Sequence, residues 1–199
     1  VAVLLQFSRL VDGLSQGIGV LMRWFVLASV LISAFAAIAR KMFNIGSNAA
    51  LETQWYLYAA VFMLAASYVF LHNGHVRIDF IASRLSRRTN AILDALGIVV
   101  FLIPLCIIMI DLAWPFFLRA YVSGEMSENA GGLIRWPVLL TIPLGFGLLL
   151  LQSLSELIKR VAFLSGHLDS PFSFSEEHSA EEELAKELAA KAAAAQEAR

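Results

Sequence analysis

Four apolar runs, each long enough to cross a bilayer, constrain this chain before any other feature does. Thr53 to Leu71 is a stretch of 19 residues without a formal charge. Three more runs resemble it: about Ile18 to Ala39, about Ala91 to Leu118 with Asp111 interrupting, and Trp136 to about Leu157. A helix rises about 1.5 Å per residue, so about 20 residues cross a hydrocarbon core of about 30 Å. Lipid offers no hydrogen bonds to bare backbone, so runs of this length must be helical. Only 16% of the residues are charged, against about a quarter in a soluble domain. The expected fold class is an all-α membrane protein: four transmembrane helices with amphipathic interfacial helices and a cytoplasmic C-terminal helical tail.

Orientation follows from lysine and arginine, which collect on the cytoplasmic side. With the N-terminus inside, Arg9, Arg23, Arg77, Arg84, Arg87, Arg88, Lys159 and Arg160 are cytoplasmic. Arg40, Lys41, Arg119 and Arg135 are then outside. The loop from Arg77 to Arg88 decides the matter, and both termini are expected in the cytoplasm. Trp24 opens the first span on the inner side, and Trp55, Trp114 and Trp136 lie near outer ends, where an amphipathic ring prefers the headgroups.

Three parts are expected: an amphipathic helix over 1–17, a membrane domain over 18–165 and an acidic, Ala-rich cytoplasmic tail over 166–199. The spans fall at about 18–39, 53–71, 91–118 and 136–157. In the first part Val3, Phe7, Leu10, Leu14, Ile18 and Leu21 recur at helical steps, with Gln6, Arg9, Asp12 and Gln16 on the other side. Such a helix either lies in the interface or prolongs the first span against a neighbour. The opening residues lack the basic n-region and cleavage site of a signal peptide. A second amphipathic piece, 76–90, offers Arg77, Arg84, Arg87 and Arg88 to anionic headgroups and reads as an interfacial arm. No stacking aromatics interleave these arginines, so no nucleic-acid partner is expected. In the tail, Ser179 and Glu182 form a capping-box pattern before an Ala/Glu/Lys-rich helix.

The chemistry-bearing residues are few. Cys106 is the single cysteine, which rules out an intrachain disulfide and Cys-ligated clusters. His72, His75 and Asp79 have metal-compatible spacing, but Gly74 lies between the histidines and a fourth ligand is lacking. A haem anchor would want histidines inside spans, and all four histidines lie outside them. Glu52 and Asp111, the ionisable residues weighed within spans, both sit towards the outer face at headgroup depth. That placement argues against a proton-coupled antiporter or proton channel. Hydrolase, kinase and phosphate-cradling motifs are absent from the sequence. No catalytic residue, metal or cofactor is expected, and the chain does not read as an enzyme. Ser29, Ser33 and Ala37 repeat at the small-residue spacing that lets helices approach, while Pro143, Gly145 and Gly147 leave the fourth span thin and bendable.

Glu52 and Trp55 opening the second span, then His75, Val76, Arg77, Ile78 and Asp79 at its exit, resemble the small membrane subunit of tripartite ATP-independent periplasmic (TRAP) transporters, the DctQ-like family. The stretch from Ala130 to Arg160, with Pro143 and Gly145 as a Pro-x-Gly step, is similar to that family's last loop and span. The resemblance covers about residues 15–162, and this chain has Ala65 and Ala66 where the family often has glycine. It implies a bacterial inner-membrane complex with a large permease subunit and a periplasmic substrate-binding protein. In that complex a cation gradient, sodium in this family, drives uptake of an organic acid. The small subunit would scaffold the large one. Gly74 would then permit the turn out of the membrane. His75, Arg77, Asp79, Arg84, Arg87 and Arg88 would form a corner and arm against phospholipid and the large subunit. Glu125, Glu128 and Arg135 in the outer loop are candidate contacts to the binding protein. An autonomous homo-oligomeric transporter and a membrane anchor of a respiratory enzyme are the competing readings.

Overall fold

A computed structural model describes residues 2–72 and 85–168. Four helical spans are long and apolar enough to cross a membrane: Val3–Phe43, Asn48–Leu71, Arg87–Ser123 and Trp136–Leu164. The all-α membrane class expected from the sequence is what folds. Helix α1 is Ala2–Phe43; α2 is Asn48–Leu64, continued after a slight break at Ala65 by α3, Ala66–Leu71. Helix α4 is Arg87–Gly97, α5 is Ile103–Ser123 and α6 is Trp136–Leu164. Helix α6 is the hub, touching every other helix, with α5 as its most extensive neighbour.

Each boundary has a local cause. Ser47 and Ser86 cap α2 and α4, accepting from the amides of Ala50 and Thr89 at 3.3 Å and 3.2 Å. Asn44, at a φ of 54°, takes the left-handed conformation just past α1, which Asn tolerates better than most residues. Gly124 ends α5 at a φ of 62°, and the Glu125 amide returns to Ala120 O at 3.2 Å, a left-handed glycine stop. Between α4 and α5 one turn, Ile98–Leu102, widens so that the Ile103 amide donates to Ile98 O. Pro104 follows immediately; it has no N–H to donate, and the widened turn re-routes the ladder around it.

The bundle is inverted relative to a soluble one. Its large apolar side chains point outward, among them Phe7, Leu10, Phe35, Phe62, Phe101 and Phe116. Its interior holds a few apolar side chains, such as Leu71 and Met22, but mostly small or polar residues: Ser8, Asp12, Ser15, Ser29, Ser67, Cys106, Ala113, Ala120, Gln152, Ser153, Ser155 and Glu156. Lipid tails are as apolar as leucine, so burial of large aliphatics drives nothing here, while close approach and interhelical hydrogen bonds do. Between helices, close approach is concentrated at two glycines. A Cβ on Gly145 would stand 2.5 Å from Met63 O, and one on Gly19 would stand 2.1 Å from the Tyr68 ring. Thus the Pro143–Gly145 step seats α6 against α2, whereas Gly147 faces open space. Of the small-residue repeat in α1 only Ser29 is buried, donating to Gln54 O at 3.3 Å; Ala37 is exposed.

The N-terminal amphipathic piece is continuous with the first span, forming 42 residues of unbroken helix. Its hydrophobic side faces out, and Ser8, Asp12 and Ser15 face α6. Asp12, on the side opposite that hydrophobic stripe, is buried, which is the arrangement of a span prolonged against a neighbour. Likewise the helix of the third span starts at Arg87, so Arg87 and Arg88 stand exposed in its first turn. Gly74, His75, Arg77, Asp79 and Arg84 lie outside the described residues, as does the tail from 169.

Candidate functional site

Two buried polar clusters stand at opposite ends of the bundle. The first is built on Glu52, which is 1% exposed. Asn48, Glu52 and Tyr56 lie four residues apart on one face of α2, and all three reach the loop between α5 and α6. Asn48 Nδ2 donates to Ala130 O at 2.9 Å and the Tyr56 hydroxyl to Ile134 O at 3.2 Å. The Glu52 carboxylate accepts from Asn129 Nδ2 at 2.7 Å, from the Leu133 amide at 2.6 Å and from the Ser127 hydroxyl. Gly132 makes room, because a Cβ there would stand 2.8 Å from a Glu52 oxygen and 2.6 Å from Ser127 Cβ.

The loop is therefore a folded hairpin. Met126 bridges Ile134, the Ser127 amide donates to Leu133 O at 2.9 Å, and the Arg135 amide donates to Glu125 O at 2.9 Å. Glu125 and Arg135 pair with each other through their side chains, each about two-fifths exposed. Glu128 is exposed. Beneath the hairpin, Trp136 meets Tyr121 edge-on with ring centroids 5.6 Å apart, and Trp114 lies 5.4 Å from Phe117. Trp55 makes an edge contact with Tyr56 and is half exposed. Glu52, which the sequence places at the outer boundary beside Trp55, is thus enclosed by protein. It is the keystone of the hairpin, because a buried carboxylate is held only where donors converge on it.

The second cluster joins α1, α4 and α6. Asp12 Oδ2 lies 3.0 Å from Lys159 Nζ; Glu156 contacts both Lys159 and Arg160; Arg160 Nη2 lies 3.4 Å from Asp94 Oδ2. Around Asp12, Gln152 Nε2 donates at 2.9 Å and the Ser155 hydroxyl at 3.0 Å, while Ser15 donates to Gln152 Oε1 at 2.8 Å. Ser8 lies 2.6 Å from Ser155, hydroxyl to hydroxyl. Glu156 and Arg160 are each 1% exposed. Two carboxylates and two cations are thus buried together with the partly exposed Asp94 at their edge, and among the described residues every buried side-chain nitrogen or oxygen has a partner. A set this fully paired holds helices together; it offers no uncommitted acid, base or ligand.

Sequence reasoning weighed only Glu52 and Asp111 as ionisable residues of the spans and passed over this cluster. The signal was present as two matching stripes: Ser8, Asp12 and Ser15 on one helix, and Gln152, Ser155, Glu156 and Lys159 on the other. Asp111 stands apart from both clusters, exposed on α5. No group of three metal-binding side chains occurs among the described residues. His72 Nδ1 lies 3.0 Å from Tyr68 O, with its ring against the Tyr68 ring.

No curated protein and no solved structure matches the chain. The family described as tripartite ATP-independent periplasmic transporters, DctQ component, does match, over residues 29–163. That interval runs from the buried Ser29 to one residue short of the end of α6, taking in Glu52, its hairpin and most of the ionic cluster. The family is a transporter component, not an enzyme, and it works with a large permease and a periplasmic binding protein. Four helices long and apolar enough to cross a membrane and a family match over more than half of the chain lead to one conclusion: this chain belongs to the DctQ family, the small permease component of TRAP transporters.

Proposed function

We propose that the chain is a scaffold: it holds the large permease subunit in the bacterial inner membrane while that subunit carries out cation-driven uptake of an organic acid, with sodium as the coupling ion. The observation that carries the reading is the commitment of the buried polar groups to one another. Asp12, Gln152, Glu156, Lys159, Arg160 and Glu52 all have partners within the chain, as a rigid support requires and a moving carrier would not. Both termini are cytoplasmic in this reading, which puts the hairpin on the periplasmic side. Its exposed Glu128 and the half-exposed Glu125 and Arg135 are then available to the delivered binding protein. At the inner side Arg87 and Arg88, with Gly74, His75, Arg77, Asp79 and Arg84, form the arm that meets phospholipid and the large subunit.

The test is affinity purification from native membranes in mild detergent, followed by protein identification and sodium-dependent uptake assays on the reconstituted complex. A stoichiometric, larger polytopic partner is expected, with uptake that needs both proteins. Recovery of this chain alone as an active homo-oligomer would overturn the scaffold role. Replacing Arg84, Arg87 and Arg88 together with Glu is expected to weaken recovery of the partner several-fold. Unchanged recovery and uptake would remove the arm from the assembly.

A further inference from the structure

Asp111 is an acidic residue of the described spans that neither buried cluster takes in. Helix α5 packs on α6 through a stripe of small buried residues, Cys106, Ala113 and Ala120. At 3.6 residues per turn Asp111 lies about 160° around the helix from Ala113 and about 180° from Ala120. It therefore points straight away from the bundle, among the exposed apolar residues Ile107, Ile108, Leu112, Trp114 and Leu118. Its carboxylate has no partner among the described residues. The backbone adds a second acceptor at the same place. Pro115 lies four residues on, inside the helix, and has no N–H, so the usual donor to the Asp111 carbonyl is missing. Ile107, Ile110, Asp111, Trp114 and Pro115 line an open groove of about 450 Å³, large enough for a long side chain.

An unpaired carboxylate on an outward, apolar face of a span, beside a carbonyl that lacks its usual donor, calls for a donor from outside the chain. Charged residues within spans pair with one another or face protein, not hydrocarbon. From this we infer that the Asp111 face of α5 is the docking surface for a membrane helix of the large permease subunit, and that the helix inserts a guanidinium or ammonium group into the groove. Charge complementarity selects a cation, and the apolar flanks select a membrane-embedded partner. The inference rests on the scaffold reading above and adds to it the face used and the chemistry of the contact.

The experiment uses the full transporter in its native membrane, with a photo-cross-linking residue at Ile107 or Leu118, which flank Asp111 on its face, and at Phe35 of α1 as the control. Cross-links to the large subunit are expected from the first two positions and not from the third. Asp111→Leu is expected to lower the large subunit retained on purification at least five-fold, and Asp111→Glu to keep most of it. Since Asp111→Leu removes a charge from an apolar face, the isolated subunit should melt no lower than the wild type. A lower melting temperature would place Asp111 in this chain's own folding and overturn the docking role. Cross-links only to lipid or to a second copy, with full retention in Asp111→Leu, would overturn it as well. Failure of the wild-type chain to retain any large subunit is a different result, and it would overturn the scaffold reading itself.

Discussion

Glu52 shows how one side chain can organise a segment 75 to 81 residues away from it. Hydrogen bonds to a charged group contribute about 1.5–3 kcal/mol each, and donors left unmet in a buried place cost a similar amount. Glu52→Ala would strand the Leu133 amide and the Asn129 side chain together. The hairpin is expected to open locally while the four spans stay folded. Hydrogen exchange on the purified protein should show protection of the Leu133 amide falling at least ten-fold, with the amides of α6 beyond Pro143 unaffected. Loss of protection throughout α6 would mean that Glu52 supports the whole bundle. Gly132 belongs to the same argument: a Cβ there would enter the Glu52 carboxylate, so Gly132→Val should reproduce the exchange pattern. The role was half-legible in the sequence. Glu52 was singled out with Trp55, but its donors lie in a distant loop whose fold no local pattern announces; only the spacing of Asn48, Glu52 and Tyr56 hinted at a shared target.

At the scale of elements, apolar run length located all four spans, because crossing a hydrocarbon core is a local requirement met residue by residue. The direction each helix faces was harder to read. An amphipathic stripe in α1 fits a soluble surface, a membrane surface or a bundle interior equally well, and only the matching stripe on α6 distinguishes the last. The buried ion pairs carry the further question of net worth. Desolvating Asp12 and Lys159 costs several kcal/mol, so removing one partner is worse than removing both. Lys159→Met alone is expected to destabilise by about 3–5 kcal/mol, since it leaves the buried Asp12 charge without its cation. The double variant Asp12→Leu/Lys159→Met should recover most of that loss. Thermal unfolding of the four proteins of the cycle in one detergent provides the check. If the double variant is as unstable as the sum of the single ones, Asp12 and Lys159 act separately, through Ser155 and Glu156.

The whole molecule has one feature that its internal packing cannot fix, the side of the membrane on which each polar cluster lies. Eight cations against four argue that the Asp12–Lys159 end is cytoplasmic and the Glu52 hairpin external. The functional argument hangs on this sign, because a hairpin that contacts a periplasmic binding protein must be periplasmic. Cysteine labelling can decide it, because the lone native Cys106 is buried and can be replaced by alanine. In that background Glu128→Cys and Ser165→Cys each put a thiol on an exposed position at opposite ends of the bundle. An impermeant maleimide applied to spheroplasts should label the thiol at position 128 at once and the thiol at 165 only after the membrane is opened. The reverse pattern would turn the bundle over. The hairpin could then no longer meet a periplasmic partner, and the arginines at the start of α4 would face outward, against the charge rule that placed them.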